Sequence, residues 1–315
     1  MIEFYKTFGT ETKKVETLET GCWINVVSPT EEEKQFLIND LGIVPEFVQA
    51  SLDEEESSHI DFDDDYNQTL VIVDYPSAEE TEGKYDKMTL QYITLPLGIV
   101  LMKGYIITIS LYENLNIEDM ATGKVKGIHT EMKTRFLLKL LLRISQRYLI
   151  YLRQIDRLSS LTEQKLHKSM QNKELIQMLG LEKSLVYFST SLKTDEITLN
   201  KIMRGKSIKL YEDDQDLLED VLVEINQAIE MCSIYSNILS GTMDAYASVI
   251  SNNLNIVMKV LTVITIVMSI PNIIFSFYGM NVSGLPGPVW WVPTLIAVIA
   301  CVIASFIFMK KDMFH

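Results

Sequence analysis

A mostly polar stripe runs through an otherwise apolar segment near the end of the chain. Its members recur every three or four residues, so a helix places them on one face. They are Asn255, Met258, Leu261 or Thr262, Thr265, Ser269, Asn272 and Ser276. The side-chain amide and hydroxyl oxygens of its polar members can form hydrogen bonds or serve as ligands for a cation. The opposite face is purely apolar and carries Val257, Val260, Ile264, Val267 and Ile274.

This polar stripe allows two interpretations. Small polar side chains often hold neighbouring membrane helices together, which would make the stripe a structural contact. Polar groups inside a bilayer also cost free energy unless they meet another helix or water, so the stripe is expected to be buried in an assembly. Two spans in one subunit cannot enclose an aqueous path. A pore lining would therefore require a symmetric ring of subunits, in which each stripe residue becomes a ring of ligands.

The surrounding segment is long enough to cross a membrane twice. Residues 260–309 contain no Asp, Glu, Lys or Arg, which leaves room for two spans of about 20 residues with a turn between them. We predict a first transmembrane helix at 260–278, an external loop at 279–289, a second transmembrane helix at 290–309 and a cytoplasmic tail at 310–315. Between Glu212 and Ile270 there is no proline, which predicts one helix of about 90 Å. Its part at 212–259 would be a cytoplasmic stalk continuous with the first span.

The first half of the chain has a mixed α/β pattern. Apolar runs bounded by glycine or proline predict strands at Trp23–Val27, Thr69–Tyr75, Met88–Pro96, Gly98–Met102 and Tyr105–Ser110. Thr30 and Glu33 have the spacing of a helix capping box. We therefore predict an α+β membrane protein with a cytoplasmic α/β domain at 1–130 and long cytoplasmic helices at 131–211.

The charges flanking the spans predict their orientation. Lys259 precedes the first span and Lys310 follows the second, and basic flanks stay in the cytoplasm. Met1–Trp23 mixes charges of both signs without an apolar run, unlike a secretory signal. We expect a multi-pass protein of the bacterial cytoplasmic membrane with both termini inside and with lipid as a partner.

The composition disfavours several other classes of protein. The formal charge of −14 makes nucleic acid an improbable partner, because phosphate binding requires a basic face. No nucleotide-binding pattern and no catalytic pattern of an enzyme is present, and the three cysteines are widely spaced. We predict no nucleotide partner and no enzymatic activity.

The end of the first predicted span carries a recognisable motif. Gly279-Met280-Asn281 resembles the GMN signature of the CorA metal-ion transporter family, and Val257-Met258-Lys259-Val260-Leu261-Thr262 followed by Pro271 resembles that family's pore helix. The two-span end and the Trp-Ile-x-Val-x-x-Pro-Thr stretch beginning at Trp23 are similar as well, so the resemblance covers essentially the whole chain.

The resemblance implies a homopentameric funnel that admits Mg²⁺, and possibly Co²⁺ or Ni²⁺, through a gated pore. It implies a selectivity filter of Gly279, Met280 and Asn281, in which Asn281 first meets the hydrated ion. The rest of the path would follow the stripe in three parts. They are a polar section of Asn272, Ser269 and Thr265, a hydrophobic constriction of Leu261 and Met258, and a cytoplasmic ring of Asn255.

The resemblance also implies regulation by cytoplasmic Mg²⁺, which would bridge acidic residues of neighbouring subunits and close the ring. Asp220 matches one partner. The other acidic pair falls on Gln49 and Ala50, so Asp53 and Glu54, just beyond, are the substitutes considered. A solvated helix end is the alternative reading of these two acids.

Two other functions remain open. A protein of the same fold could transport Zn²⁺ or Ni²⁺, with or without proton coupling, although no acidic residue lies inside either span to relay protons. A membrane-tethered metal sensor would use the spans only as anchors.

Overall fold

The computed structural model describes residues 1–81, 89–169, 172–205, 208–280 and 289–310. The chain divides into two compact units, Met1–Ser240 and Gly241–His315, called here the first and second units. The helix α6 contributes residues to both.

The first unit contains a seven-stranded sheet. The strands are β1 (Ile2–Phe8), β2 (Glu11–Val15), β3 (Trp23–Val27), β4 (His59–Asp63), β5 (Gln68–Thr81), β6 (Thr89–Met102) and β7 (Tyr105–Ser110). Their order is β2-β1-β3-β7-β6-β5-β4. Only β3 and β7 pair in parallel, and the other neighbours in this sheet are antiparallel.

The part of the chain that the structure describes forms seven α-helices. They are α1 (Glu31–Gln35), α2 (Pro45–Ala50), α3 (Leu115–Ala121), α4 (Lys133–Ser169), α5 (Asn172–Met203), α6 (Glu212–Tyr278) and α7 (Trp291–Lys310), with a π-helical turn at Phe36–Asp40. The predicted capping box begins α1: the Glu33 N–H donates to Thr30 Oγ1 over 3.3 Å, and the Thr30 N–H donates to Glu33 Oε2 over 2.9 Å.

Both faces of the sheet are covered by apolar side chains. On one face, Leu37 and Phe47 from the short helical segments pack on strand residues such as Ile24 and Ile107. On the other face, the Trp23 ring lies 5.0 Å from that of Phe136 on α4, measured between ring centroids. The alternation of Trp23 and Ile24 to opposite faces follows from the pleat of a strand. The sheet is thereby held between short helices on one side and the long helices on the other.

The strand β6 corrects one prediction. A break between two strands was expected at Pro96 and Gly98, yet the structure has a single strand through both. Pro96 lies opposite Asp74 of β5, whereas pairing with β7 begins only at Gly98. Pro96 therefore lies where β6 has one partner strand, and such a position tolerates the missing N–H.

Three strands were missed by the sequence analysis. They are β1, β2 and β4, which lie at or next to the sheet edges and contain no fully buried residue. The acidic stretch from Asp61 to Asp65 partly belongs to β4. The turn between β1 and β2 holds Gly9 at φ 63°, a left-handed conformation that glycine adopts without steric cost.

Candidate functional site

The polar stripe lies on the segment of α6 that belongs to the second unit. Most of its side chains are exposed in the single chain, and only Ser269 is partly buried. The exposed ones are Asn255, Met258, Leu261, Thr262, Thr265, Asn272 and Ser276. One continuous helix thus carries all the predicted pore-lining residues, although a single chain gives them no common axis to face.

Three hydroxyl groups of this segment are satisfied by their own helix. The hydroxyls of Thr262, Thr265 and Ser269 donate to the carbonyl oxygens of Met258, Leu261 and Thr265 over 2.7, 2.8 and 2.7 Å. This bond to the preceding turn lowers the cost of keeping a hydroxyl in an apolar environment. The oxygen keeps lone pairs that can still accept a hydrogen bond from water.

The helices α6 and α7 contact each other along small and β-branched residues. Val263 on α6 is 2% exposed and Ala297 on α7 is 4% exposed. The Cys301 thiol lies 3.6 Å from the carbonyl oxygen of Val267. Small side chains such as Ala297 let two membrane helices approach closely. The side of α6 that carries Val263 and Val267 therefore faces α7 within the second unit.

The apolar face of α6 opposite the stripe is only partly covered in the single chain. Val260, Val267 and Ile274 are partly buried, whereas Val257 and Ile264 are exposed. The buried Val263 lies outside the set predicted for that face.

The GMN motif begins where α6 ends. The Gly279 N–H donates to the Phe275 carbonyl oxygen over 2.9 Å, and Met280 donates to Phe277 over 3.4 Å. A Cβ at Gly279 would lie 3.2 Å from the Phe275 oxygen, a tight contact that favours glycine. Asn281, the predicted first ring of the filter, lies outside the described residues.

The predicted regulatory acids are all exposed in the first unit. Asp220 lies on α6, whereas Asp53 and Glu54 follow α2. Glu54 Oε1 accepts a 2.5 Å hydrogen bond from the Tyr112 hydroxyl, and Asp53 Oδ1 accepts one from the Glu55 N–H at 3.0 Å. Within one chain, the described residues gather no group of three or more His, Cys, Asp or Glu side chains that could hold a metal ion.

The sequence analysis missed four buried acids of the first unit, Asp74, Asp119, Asp195 and Asp214. Asp119 on α3 and Asp195 on α5 are 4% and 3% exposed. Asp195 follows the buried Leu192 by three positions and precedes the buried Leu199 by four, so it lies on the apolar face of its helix. An acid on an apolar helix face was the available signal.

Two described helices, α6 and α7, are long and apolar enough to cross a membrane. For α6, the apolar stretch is part of a 67-residue helix.

The family model and the related sequences that match this chain belong to the same family. The model of the CorA-like Mg²⁺ transporter protein family matches residues 19–311. The cobalt/magnesium transport protein CorA of Methanocaldococcus jannaschii is 28% identical over 297 residues, which are 92% of this chain and 90% of that protein. The magnesium transport protein CorA of Helicobacter pylori is 22% identical over 299 residues, covering 92% and 89%.

Solved structures agree with the sequence matches. The complete structure of the CorA magnesium transporter from M. jannaschii superposes with a TM-score of 0.82 at 25% identity, covering 99% of this chain and 98% of that one. The full-length CmaX protein shares the fold, with a TM-score of 0.69 at 16% identity. The α+β fold with a soluble N-terminal part, a long helix and two candidate membrane helices is thereby confirmed, and the chain belongs to the CorA-like Mg²⁺ transporter protein family.

Proposed function

We propose that this protein is a gated channel that admits Mg²⁺ through the cytoplasmic membrane as a ring of five identical subunits. The observation that carries the proposal is the polar stripe on α6, exposed along a helix that is apolar enough to span a bilayer. The relatives named as magnesium and cobalt transport proteins support the ion class. Copies of the chain, divalent ions and lipid would be its partners.

The ion path would be lined by neutral oxygen atoms. Mg²⁺ surrenders its water reluctantly, so a ring of Asn281 amides would hold the hydrated ion through its water molecules. Asn272, Ser269 and Thr265 would continue this path, and their neutral groups would bind the ion weakly enough to release it. Gly279 and Met280 would shape the turn that presents Asn281.

A gate would lie nearer the cytoplasm. Rings of Leu261 and Met258 would form a narrow apolar section that closes by losing its water, and Asn255 would line the inner mouth. The Leu261 and Met258 side chains are exposed in the single chain, as a pore-lining residue must be before the subunits assemble.

The driving force would be the membrane potential. Moving one charge across 100 mV is worth about 2.3 kcal/mol, so a divalent cation gains about 4.6 kcal/mol from an inside-negative potential. No nucleotide is needed for uptake. The orientation with both termini in the cytoplasm follows from Lys259 and Lys310.

Closure would follow metal binding between subunits. Mg²⁺ prefers carboxylate oxygens, and Asp220 of one subunit would share an ion with Asp53 and Glu54 of the next. The exposure of all three acids in the single chain supports a site completed by a second subunit. Mg²⁺ would then be both the transported ion and the regulator.

Uptake into proteoliposomes under an inside-negative potential tests this proposal. Mg²⁺ should enter vesicles containing the wild-type protein, and Asn281→Ala should reduce its uptake at least tenfold. Asn237→Ala, which removes an exposed amide from α6 outside the stripe, serves as the matched control and should transport normally. Uptake of Zn²⁺ or Ni²⁺ without Mg²⁺ would keep the fold and refute the substrate. Absence of uptake for every divalent ion, with folded protein, would favour a sensor.

A further inference from the structure

Two buried aspartates lie close together inside the first unit. Asp74 on β5 is 9% exposed and Asp195 on α5 is 3% exposed. The Asp195 Oδ1 atom accepts hydrogen bonds from the Ser58 hydroxyl at 2.7 Å and from the Asp74 N–H at 3.0 Å. The Tyr148 hydroxyl on α4 donates to the Asp74 carbonyl oxygen over 3.2 Å. The two acids therefore lie where a strand and two long helices come together.

No basic side chain of the described residues forms an ion pair with either acid. The second carboxyl oxygen of Asp195, Oδ2, is buried without a hydrogen-bond partner. Asp195 also lines a small cavity of about 10 Å³. The other residues around that cavity are Val73, Leu141, Ile144, Ser145, Leu199 and Ile225. A space of this size holds about one water molecule, too little to hydrate two negative charges.

The other titratable groups near the pair do not neutralise it. Tyr148 and Cys232 approach from α4 and α6, and burial raises the pKa of both. The exposed Lys193 lowers the pKa of the Cys232 thiol, but burial outweighs this effect. From β4, the His59 ring contacts the Ser57 carbonyl oxygen and the Glu56 carboxylate.

The protonation of the pair follows from these surroundings. Burial raises the pKa of Asp195 well above its usual value, and the nearby Asp74 raises it further, against the opposing hydrogen bond from Ser58. Burial also raises the pKa of Asp74, against a hydrogen bond from Ser191. Two carboxylates at one desolvated site cannot both ionise cheaply, so the pair retains a proton.

We propose that Asp74 and Asp195 jointly bind a proton that acts as a latch between β5 and the helices α4, α5 and α6. With the proton bound, one negative charge at most lies in the site and the four elements pack closely around it. When the proton leaves, the second charge forces water into the cavity or separates α5 from β5. Cytosolic alkalinisation would thus loosen the packing around the part of α6 that contains Ile225, independently of any metal ion.

The direction of the pH effect follows from the raised pKa. The folded pair binds more protons than the unfolded chain, so the stability it contributes is complete below the unfolded pKa of 3.8 and declines as the pH rises toward the folded pKa. One proton changes the equilibrium between closed and open forms by up to about tenfold per pH unit in that window.

Hydrogen–deuterium exchange of the full-length protein in detergent tests the latch. After correction for the intrinsic pH dependence of exchange, protection of α5 amides near residues 190–200 should fall with rising pH in the wild type. Asp195→Asn, whose amide resembles the neutral acid, should abolish this slope, while Asp156→Asn, which removes an exposed carboxylate of α4, should preserve it. The proposal is overturned if protection of the α5 amides falls with pH in Asp195→Asn as it does in the wild type. It is also overturned if both variants lose this pH dependence.

A second measurement applies if Asp195→Asn does not fold. Infrared spectra of the wild type with isotope-labelled aspartate should show the carbonyl band of a buried protonated carboxyl group at neutral pH. This band should weaken as the pH rises, and Asp74→Asn should change its titration. The absence of a protonated carboxyl band at neutral pH overturns the proposal without any variant.

Discussion

The buried carboxylate of Asp119 connects α3 to α4 through hydrogen bonds. Asp119 accepts hydrogen bonds from Arg143 at 2.6 Å and Lys124 at 2.9 Å, and also from Arg147. Burial alone would raise the pKa of Asp119, but the hydrogen bonds from Arg143 and Lys124 outweigh it and lower the pKa. The stability that Asp119 contributes is therefore present above its unfolded pKa of 3.8 and is lost as the pH falls through the lower, folded pKa.

We expect Asp119→Asn to destabilise the first unit by about 3 kcal/mol at neutral pH, because it leaves partly buried arginines without their counter-charge. Below the folded pKa of Asp119, the difference from the wild type should shrink. Urea unfolding followed by circular dichroism across this pH range measures both effects. Glu118→Gln, an exposed neighbour on α3, should change neither, and an equal effect of both substitutions would refute the role of the buried carboxylate.

A close approach between β6 and α2 gives a second prediction. A Cβ at Gly98 would lie 1.9 Å from the Ser51 hydroxyl oxygen and 3.2 Å from the Ser51 Cα, so Gly98→Ala forces the two elements apart. We expect a loss of about 1–3 kcal/mol, typical of overpacking, in thermal or urea unfolding. At Gly241 on α6 a Cβ meets no atom within 4 Å, so Gly241→Ala should stabilise the helix slightly. Equal stability of Gly98→Ala and the wild type would contradict the contact.

For individual side chains, contacts between residues close in sequence were predictable, whereas contacts between residues far apart in sequence were not. The capping box of Thr30 and Glu33 was predicted and confirmed, because its two partners are three residues apart. The partner of Asp195, Ser58, is 137 positions away in sequence, and nothing in either local pattern indicates that pairing. The filter residue Asn281 stays a prediction.

At the scale of whole elements, apolar strands and long helices were predictable from periodicity. The predicted bounds of β3 and β7 match the structure, and α6 runs without a break from Glu212 to Tyr278. The strands β1 and β2 were missed because none of their side chains is fully buried and charged residues interrupt their apolar ones. The continuity of β6 depends on its neighbours and could not be predicted from its own residues.

The orientation of α6 gives a prediction for the stripe as an element. In a background without the native cysteines, single cysteines at Thr265, Ser269 and Asn272 should react with a water-soluble thiol reagent in liposomes. A cysteine at Val263, which is buried in the second unit, is the matched control and should react much more slowly. Uniform protection of the three stripe positions would favour a structural contact or an anchored sensor over a pore.

At the scale of the whole molecule, the family and fold were predicted correctly from the GMN motif and the two-span end. The match over residues 19–311 and the TM-score of 0.82 confirm that prediction. The number of subunits, the gate and the regulatory site depend on contacts between chains, which one chain's sequence and structure do not contain.

The proposed regulation predicts how transport by the assembled ring responds to internal Mg²⁺. Uptake by the wild type should fall as Mg²⁺ is raised inside the vesicles, because ions bound between subunits favour closure. Asp220→Asn should require several-fold more internal Mg²⁺ for the same inhibition. Glu219→Gln removes the adjacent exposed carboxylate of α6 and should behave like the wild type. Identical inhibition in Asp220→Asn and the wild type would place the regulatory site elsewhere.

The hydroxyl groups of Thr262, Thr265 and Ser269 have a further consequence for the sign of the ions admitted. Each donates its hydroxyl hydrogen to a carbonyl oxygen of the preceding turn. A chloride or phosphate ion requires donors, and these hydroxyls have none left to offer. The water shell of a cation points its hydrogens outward, toward the lone pairs that remain. In the proposed ring, the hydroxyls of Thr265 and Ser269 would therefore favour hydrated cations over anions without a fixed carboxylate, which would bind a divalent ion more tightly.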